Sequence, residues 1–213
     1  MKKIWMFAIA GLALAALLWR LFSRRREIPC PTWLGWMVER DNPFTKVNRA
    51  RTIVALLDIW PGMKVLDAGC GPGRLTLPLA EAVGPQGEVM ALDLQEGMLA
   101  RVRAKVQSAG LQNVSFLHAR LGKGKLPQSC FDRAVLVTVL GEIPDQAAAL
   151  QEIHSALKPG GILSVTEVIF DPHFQRRETV VRLAEAAGFK EKSFFGKKLA
   201  YTLHLEKPSV PET

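Results

Sequence analysis

The stretch Asp67-Ala68-Gly69-Cys70-Gly71-Pro72-Gly73 sets three glycines and an acid where an apolar run gives way to helical spacing. Glycine at such a junction permits φ > 0 and lets a ligand approach the backbone closely. Amides at the end of the loop and the start of the helix can receive a carboxylate or phosphate. Twenty residues beyond Gly73, Asp93 closes a second apolar run. A carboxylate at that point can accept hydrogen bonds from both hydroxyls of a ribose. Together these residues describe a pocket for a nucleoside carrying a second charged part. A dinucleotide loop prefers G-x-G-x-x-G with pyrophosphate on the helix; this one is G-x-G-x-G, with Asp67 two residues ahead of it. An acid there is awkward beside pyrophosphate and suits the ammonium of an amino acid. S-adenosylmethionine has that ammonium, a ribose and an adenine.

Strands and helices alternate around these residues. Strands are predicted over 64–67, 88–93, 114–118, 133–140 and 162–169, and helices over 47–59, 75–83, 95–109, 145–157 and 178–187. The run Arg133-Ala134-Val135-Leu136-Val137-Thr138-Val139-Leu140 is apolar on both faces, as a central parallel strand should be. The tail, 189–195 and 199–206, reads as an antiparallel hairpin turning around Gly196. This rhythm means an α/β doubly wound sheet, with ligands at the carboxyl ends of its strands.

Four stretches in order, VLDAGCGPGRLTLPLA, ALDLQEGML, FDRAVLVTVLGEIPD and LKPGGILSVTE, resemble the class I S-adenosylmethionine-dependent methyltransferases. The tone is closest to the small bacterial enzymes grouped near the quinone-biosynthesis methyltransferases. The resemblance covers about residues 47–206 and implies a Rossmann-like seven-stranded sheet whose last two strands are the C-terminal hairpin. It implies that Asp67, Gly69, Gly71 and Gly73 surround the methionine moiety, that Asp93 holds the ribose, and that Leu94 and Met98 lie near the adenine. Cys70, a small filler of the loop, and Leu140, after strand four, complete the expected cofactor-binding set with Ala119 and Arg120. After strand three such proteins often read Gly-Asp-Ala, whose acid meets the adenine amino group; here the chain reads His118-Ala119-Arg120-Leu121. Arg120 cannot accept that hydrogen bond, which leaves backbone groups at 119–121 to read adenine.

Methyl transfer needs an aligned nucleophile, and a base only where the acceptor must lose a proton. Glu142, Glu167, Asp171 and His173 fall on the expected rim, and Glu142 and His173 are the expected catalytic residues. The bland alternatives are that Glu142 shapes the turn before Ile143-Pro144 and that Glu167 pairs with an arginine. His118 and His154 read as structural. Three cysteines without a CxxC pair, and no metal-ligand spacing, give no disulfide framework and no metal site.

Residues 4–19 carry no charge, Lys2-Lys3 precede them, and Arg20 and Arg24-Arg25-Arg26 follow. A cleaved signal peptide lacks its A-x-A site here, and a buried core helix does not suit basic flanks at both ends. Residues 1–26 therefore read as an uncleaved transmembrane anchor, 27–43 as a linker or lid, and 44–213 as the catalytic domain. The four arginines put that domain on the cytoplasmic side of the inner membrane. Half of the net charge of +8 lies before residue 42, so the domain carries no phosphate-tracking stripe and nucleic acid is disfavoured. A lipidic acceptor, a quinol precursor or a phospholipid amine, is expected from the anchor. The rival readings are a soluble small-molecule or RNA methyltransferase, a nicotinamide-dependent reductase, and a non-catalytic nucleoside-binding adaptor.

Overall fold

A computed structural model describes Glu39, Asp41 and residues 45–209. The expected anchor and most of the linker lie outside the described residues, among which no helix is long and apolar enough to cross a membrane. In chain order the elements are α1 (Ala50–Leu56), β1 (Lys64–Ala68), α2 (Thr76–Val83), β2 (Glu88–Asp93), α3 (Glu96–Ser108), β3 (Val114–His118), β4 (Phe131–Val137), α4 (Gln146–Ala156), β5 (Leu157–Val168), α5 (Arg177–Ala186), β6 (Lys190–Lys197) and β7 (Ala200–Glu206).

The seven strands form one sheet in the order β3-β2-β1-β4-β5-β7-β6. The first five are parallel, and β7 runs antiparallel between β5 and β6. Strand residues point alternately to the two faces. Val65 packs with Ile53, Leu57, Leu79 and Val83 from α1 and α2, while its neighbour Leu66 joins Leu150 and Ile153 of α4 and Val180 of α5. A third cluster seats Leu99, Val102 and Val106 of α3 against Ala91. The doubly wound sheet expected from the alternation is therefore the observed fold.

The structure shifts several expected boundaries: α1 spans Ala50–Leu56 rather than 47–59, β5 begins at Leu157 rather than 162, and two further differences shape the end of the sheet near the site. β4 stops at Val137 rather than 140, because Thr138 takes the left-handed conformation at φ 55 and donates its amide to Thr166 O at 2.9 Å. A positive φ at a β-branched residue is strained, and it turns the chain out of the sheet into a short 3-10 helix, Leu140–Glu142. The hairpin turns at Lys198-Leu199, not around Gly196, since Lys197 already pairs with Ala200. Gly196 sits inside β6 at φ 100, where a Cβ would lie 2.5 Å from Ala200 O.

Candidate functional site

The loop after β1 is held by its own backbone. The amides of Gly69 and Cys70 both donate to Leu92 O at the end of β2, at 2.8 and 2.9 Å. Gly69 (φ 73) passes so close to the segment after β4 that a Cβ would lie 2.6 Å from Val139 Cγ2. A Cβ on Gly73 (φ 87) would press on Val102 of α3 at 3.1 Å. Gly71 (φ 51) differs, since a Cβ there would meet nothing within 4 Å. Its amide donates to Asp93 Oδ2 at 2.9 Å, and Gln95 N donates to Asp93 Oδ1 at 2.8 Å. Asp93, the expected ribose acid, is thus fixed to the glycine loop on one side and to the start of α3 on the other. Burial pushes its carboxyl up, and the amides of Gln95 and Gly71 pull it back.

Asp67 is buried and accepts from Thr76 Oγ1 at 2.6 Å. Burial raises its pKa to about 6, against the opposing influence of Thr76 and Arg74. An open space over Gly71, a fixed acceptor at Asp93 and a buried acid at Asp67 fit the three polar regions of S-adenosylmethionine.

The remaining expected cofactor residues fall into two groups. Leu94 is exposed at the mouth, with His118 Nε2 3.0 Å from its carbonyl. Met98 is fully buried and belongs to the core beneath. The Leu140 side chain is fully buried in the core, and its neighbour Val139 faces the loop at Gly69. The 3-10 turn that follows Thr138 rotates these two positions relative to a continuing strand. The Cys70 side chain also turns inward, against Leu99 and Val102, and burial drives its thiol pKa upward. Ala119 N is already committed to Asp93 O at 3.2 Å, so the backbone left to read adenine begins at Ala119 O and Arg120 N. Arg120 is exposed and lines a cavity of about 240 Å³ with Leu121, Lys123, Ile143, Pro144 and Asp145. That is below the ~300–1,000 Å³ usual for a ligand pocket; it is a side pocket between the loop after β3 and the start of α4.

Beyond β4 and β5 the structure brings together the two expected catalytic residues. His173 is buried, with Nδ1 3.8 Å from Glu142 Oε1 and 4.0 Å from Asp171 Oδ1. Two turns produce this meeting. Asp171 Oδ1 accepts from His173 N at 2.7 Å, a local turn that sequence shows as Asp-Pro-His. Gly141 is the second device, and sequence reading passed over it. A Cβ there would lie 1.9 Å from His173 O, so only glycine lets the 3-10 turn carrying Glu142 pack against the His173 loop. Gln175 donates to His173 O at 2.9 Å through its side chain and to Glu167 Oε2 at 3.0 Å through its amide. Tyr201 of β7 closes the base by donating to Gln175 O at 2.9 Å. Among the described residues Glu167 is not paired with an arginine. It is 1% exposed, Oε1 has no hydrogen-bond partner, and burial raises its pKa to about 8, Asp171 and Glu142 adding to the shift. His118 and His154 lie outside this cluster: His154 stacks edge-on against Phe189. Among the described residues no group of acids, histidines and cysteines could hold a metal ion.

Two further attachments were missed because their partners are distant in sequence. Glu152 of α4 accepts from four backbone amides, those of Gly122, Lys123, Lys125 and Leu126, and so pins the loop after β3. Arg74, just past the glycine loop, pairs with Asp41 at 2.9 Å and donates to Asn48 Oδ1 at 3.0 Å. Lys105 pairs with Glu39 at 2.6 Å and donates to Pro72 O at 2.7 Å. The two described residues of the linker are therefore tied to the cofactor loop and to α3 beside it.

The strand order, the glycine loop and the acid after β2 define a class I S-adenosylmethionine-dependent methyltransferase. The methyltransferase-domain family matches residues 59–204, and the chain belongs to it. It is 38% identical over 112 residues to a demethylmenaquinone methyltransferase of Geobacillus stearothermophilus, covering 53% of this chain and 48% of that one. It is 32% identical over 158 residues to the protein of that name in Listeria welshimeri, covering 70% and 67%. The chain thus spans about half the length of the first of these curated relatives. Among solved structures, an S-adenosylmethionine-dependent methyltransferase from Aquifex aeolicus shares the fold, with TM-score 0.74 and 22% identity over 84% of this chain and 100% of that one.

Proposed function

We propose that this chain methylates a quinol precursor carried in a membrane, with S-adenosylmethionine as the donor and the segment 1–26 as an anchor facing the domain to the cytoplasm. The observation that carries the reading is the packing of Glu142, His173 and Asp171 at the carboxyl ends of β4 and β5. An amine acceptor brings its own lone pair, whereas a quinol becomes a nucleophile when a hydroxyl proton leaves, which is work for a base. Bound S-adenosylmethionine supplies an electrophilic methyl group on a sulfonium. On this chain Asp93 and the glycine loop orient the donor. His173, held between two carboxylates, takes the acceptor's proton. Buried Glu167, protonated at neutral pH, keeps a third negative charge out of the same space. The Geobacillus and Listeria relatives carry the name of a quinone-modifying enzyme, and tethering would raise the concentration of the site near such a lipid.

The test is a labelled-methyl assay on the full chain, offering a membrane lipid extract, water-soluble amines and thiols, and RNA. Label is expected in the neutral quinone fraction. His173→Gln should lower turnover by about two orders of magnitude, the low end for a positioned base, with the S-adenosylmethionine Kd unchanged. Label confined to phospholipid headgroups, to water-soluble acceptors or to RNA would overturn the reading.

A further inference from the structure

Two exposed apolar side chains stand on neighbouring turns at the end of the sheet that carries the site. Phe170 is 68% exposed and Leu199 is 54% exposed. Phe170 projects from a tight turn after β5, in which Asp171 N donates to Val168 O at 3.0 Å. Leu199 is one of the two residues in the β6–β7 turn, between the paired Lys197 and Ala200. The hydrogen bond from Ile169 N to Leu199 O, at 2.8 Å, laces the two turns together. Exposed Lys197 and Lys198 complete the tip. Single exposed apolar residues are ordinary. An aromatic and an aliphatic side chain on two laced turns, with two flanking cations, have the composition that suits the interface of an anionic bilayer. Lysine stems lie along such a surface while their ammonium groups stay at headgroup level.

Position gives this knob its meaning. Antiparallel β7 starts beside the end of β5, where Val168 pairs with Ala200, so the hairpin tip lies at the same end as Asp93, Glu142 and Glu167. Phe170 precedes His173 by three residues in one loop. Trp60, the other strongly exposed aromatic among the described residues at 61%, precedes β1 and lies at the opposite end.

We propose that the tip formed by Phe170, Lys197, Lys198 and Leu199 is a second membrane contact, which seats the catalytic domain on an anionic lipid surface with the Glu142–His173 mouth facing the bilayer. The contact rests on the reading of the acceptor as a membrane lipid. It gives a tethered domain an orientation in which its mouth meets the layer where such an acceptor resides.

The test uses the full chain with Cys30→Ser and Cys130→Ser, a nitroxide at Leu199→Cys, and nanodiscs of phosphatidylcholine alone or mixed with phosphatidylglycerol. In the anionic discs the label is expected to become several-fold less accessible to a water-soluble nickel chelate, and more accessible to oxygen, than in neutral discs. Lys197→Glu with Lys198→Glu should return it to water. A label at Trp60→Cys should stay in water throughout. Equal nickel accessibility at positions 199 and 60 in anionic discs would overturn the proposal, as would protection at 199 that survives the two charge reversals. The spin label reads depth without any turnover, so a quinol that proves not to be the acceptor fails in the methyl assay while this measurement stands or falls separately.

Discussion

Replacing Glu167 by glutamine should stabilise the protein, and by an amount that grows with pH. Its carboxyl lies within β5 and 1% exposed. One oxygen receives Gln175 N and the other has no partner. Burial, with Asp171 and Glu142 adding, raises its pKa from 4.5 to about 8, the Gln175 amide opposing. Between those values the unfolded chain has released the proton while the folded chain still holds it. Stability is therefore fully present below pH 4.5 and drains away as pH rises to 8. At about 1.4 kcal/mol per pH unit, the loss is under about 1 kcal/mol at pH 5 and about 3 kcal/mol at pH 7, and it levels off above pH 8. Glutamine keeps the acceptor for Gln175 N and does not titrate. Urea unfolding of the detergent-solubilised full chain at pH 5, 7 and 9 is the assay, read as the difference between variant and wild type. Other raised acids such as Asp67 contribute equally to both chains and cancel. The variant should gain about 2 kcal/mol between pH 5 and 7. Curves that stay parallel would refute the reasoning, because they would mean that Glu167 is ionised and hydrated in the folded protein.

Three further outcomes follow from the same geometry. Asp93→Ala removes the acceptor for Gly71 N and Gln95 N together with the expected ribose contact; at about 1.4 kcal/mol per tenfold, losing two or so such bonds should weaken S-adenosylmethionine about 100-fold by calorimetric titration. Gly141→Ala places a methyl group where His173 O now lies, so it should lower kcat at least tenfold and leave cofactor affinity within about twofold, as measured by labelled-methyl kinetics beside titration. Glu152→Ala strips four amides of their acceptor; because water can reach several of them, the cost should be about 2 kcal/mol in urea unfolding, with the loop over 122–126 losing its hydrogen-exchange protection.

The parts of this protein that sequence makes legible are those whose cause is local. Buried parallel strands must be apolar on both faces, and helices end where glycine or proline stops them, so the alternation exposed the doubly wound sheet. The glycine loop and Asp93 were readable because three glycines at a strand-to-helix junction and an acid closing the next strand form a compact local pattern, even though Gly69 and Gly73 also make room for Val139 and Val102. Where a residue owes its identity to a distant contact, the same signals mislead. Val137-Thr138-Val139-Leu140 continues the pattern of a strand, and only the hydrogen bond of Thr138 to β5 reveals that the chain leaves the sheet there. That departure places Val139 against the glycine loop and the Leu140 side chain in the core. Gly196 looks like a turn glycine, yet its missing Cβ makes room for Ala200 O within the ladder. Glu152, on a helix rich in polar residues, looks like solvated surface until the loop from β3 folds over it. Gly141 is the clearest case, because its requirement comes from the carbonyl of His173, a residue that sequence analysis had already singled out for another reason. Glycine beside an acid at the end of a parallel strand is a cue worth reading as close approach. Read that way, Gly141 marks the turn carrying Glu142 as one that another stretch of backbone packs against closely, and in the structure that stretch is the loop of His173.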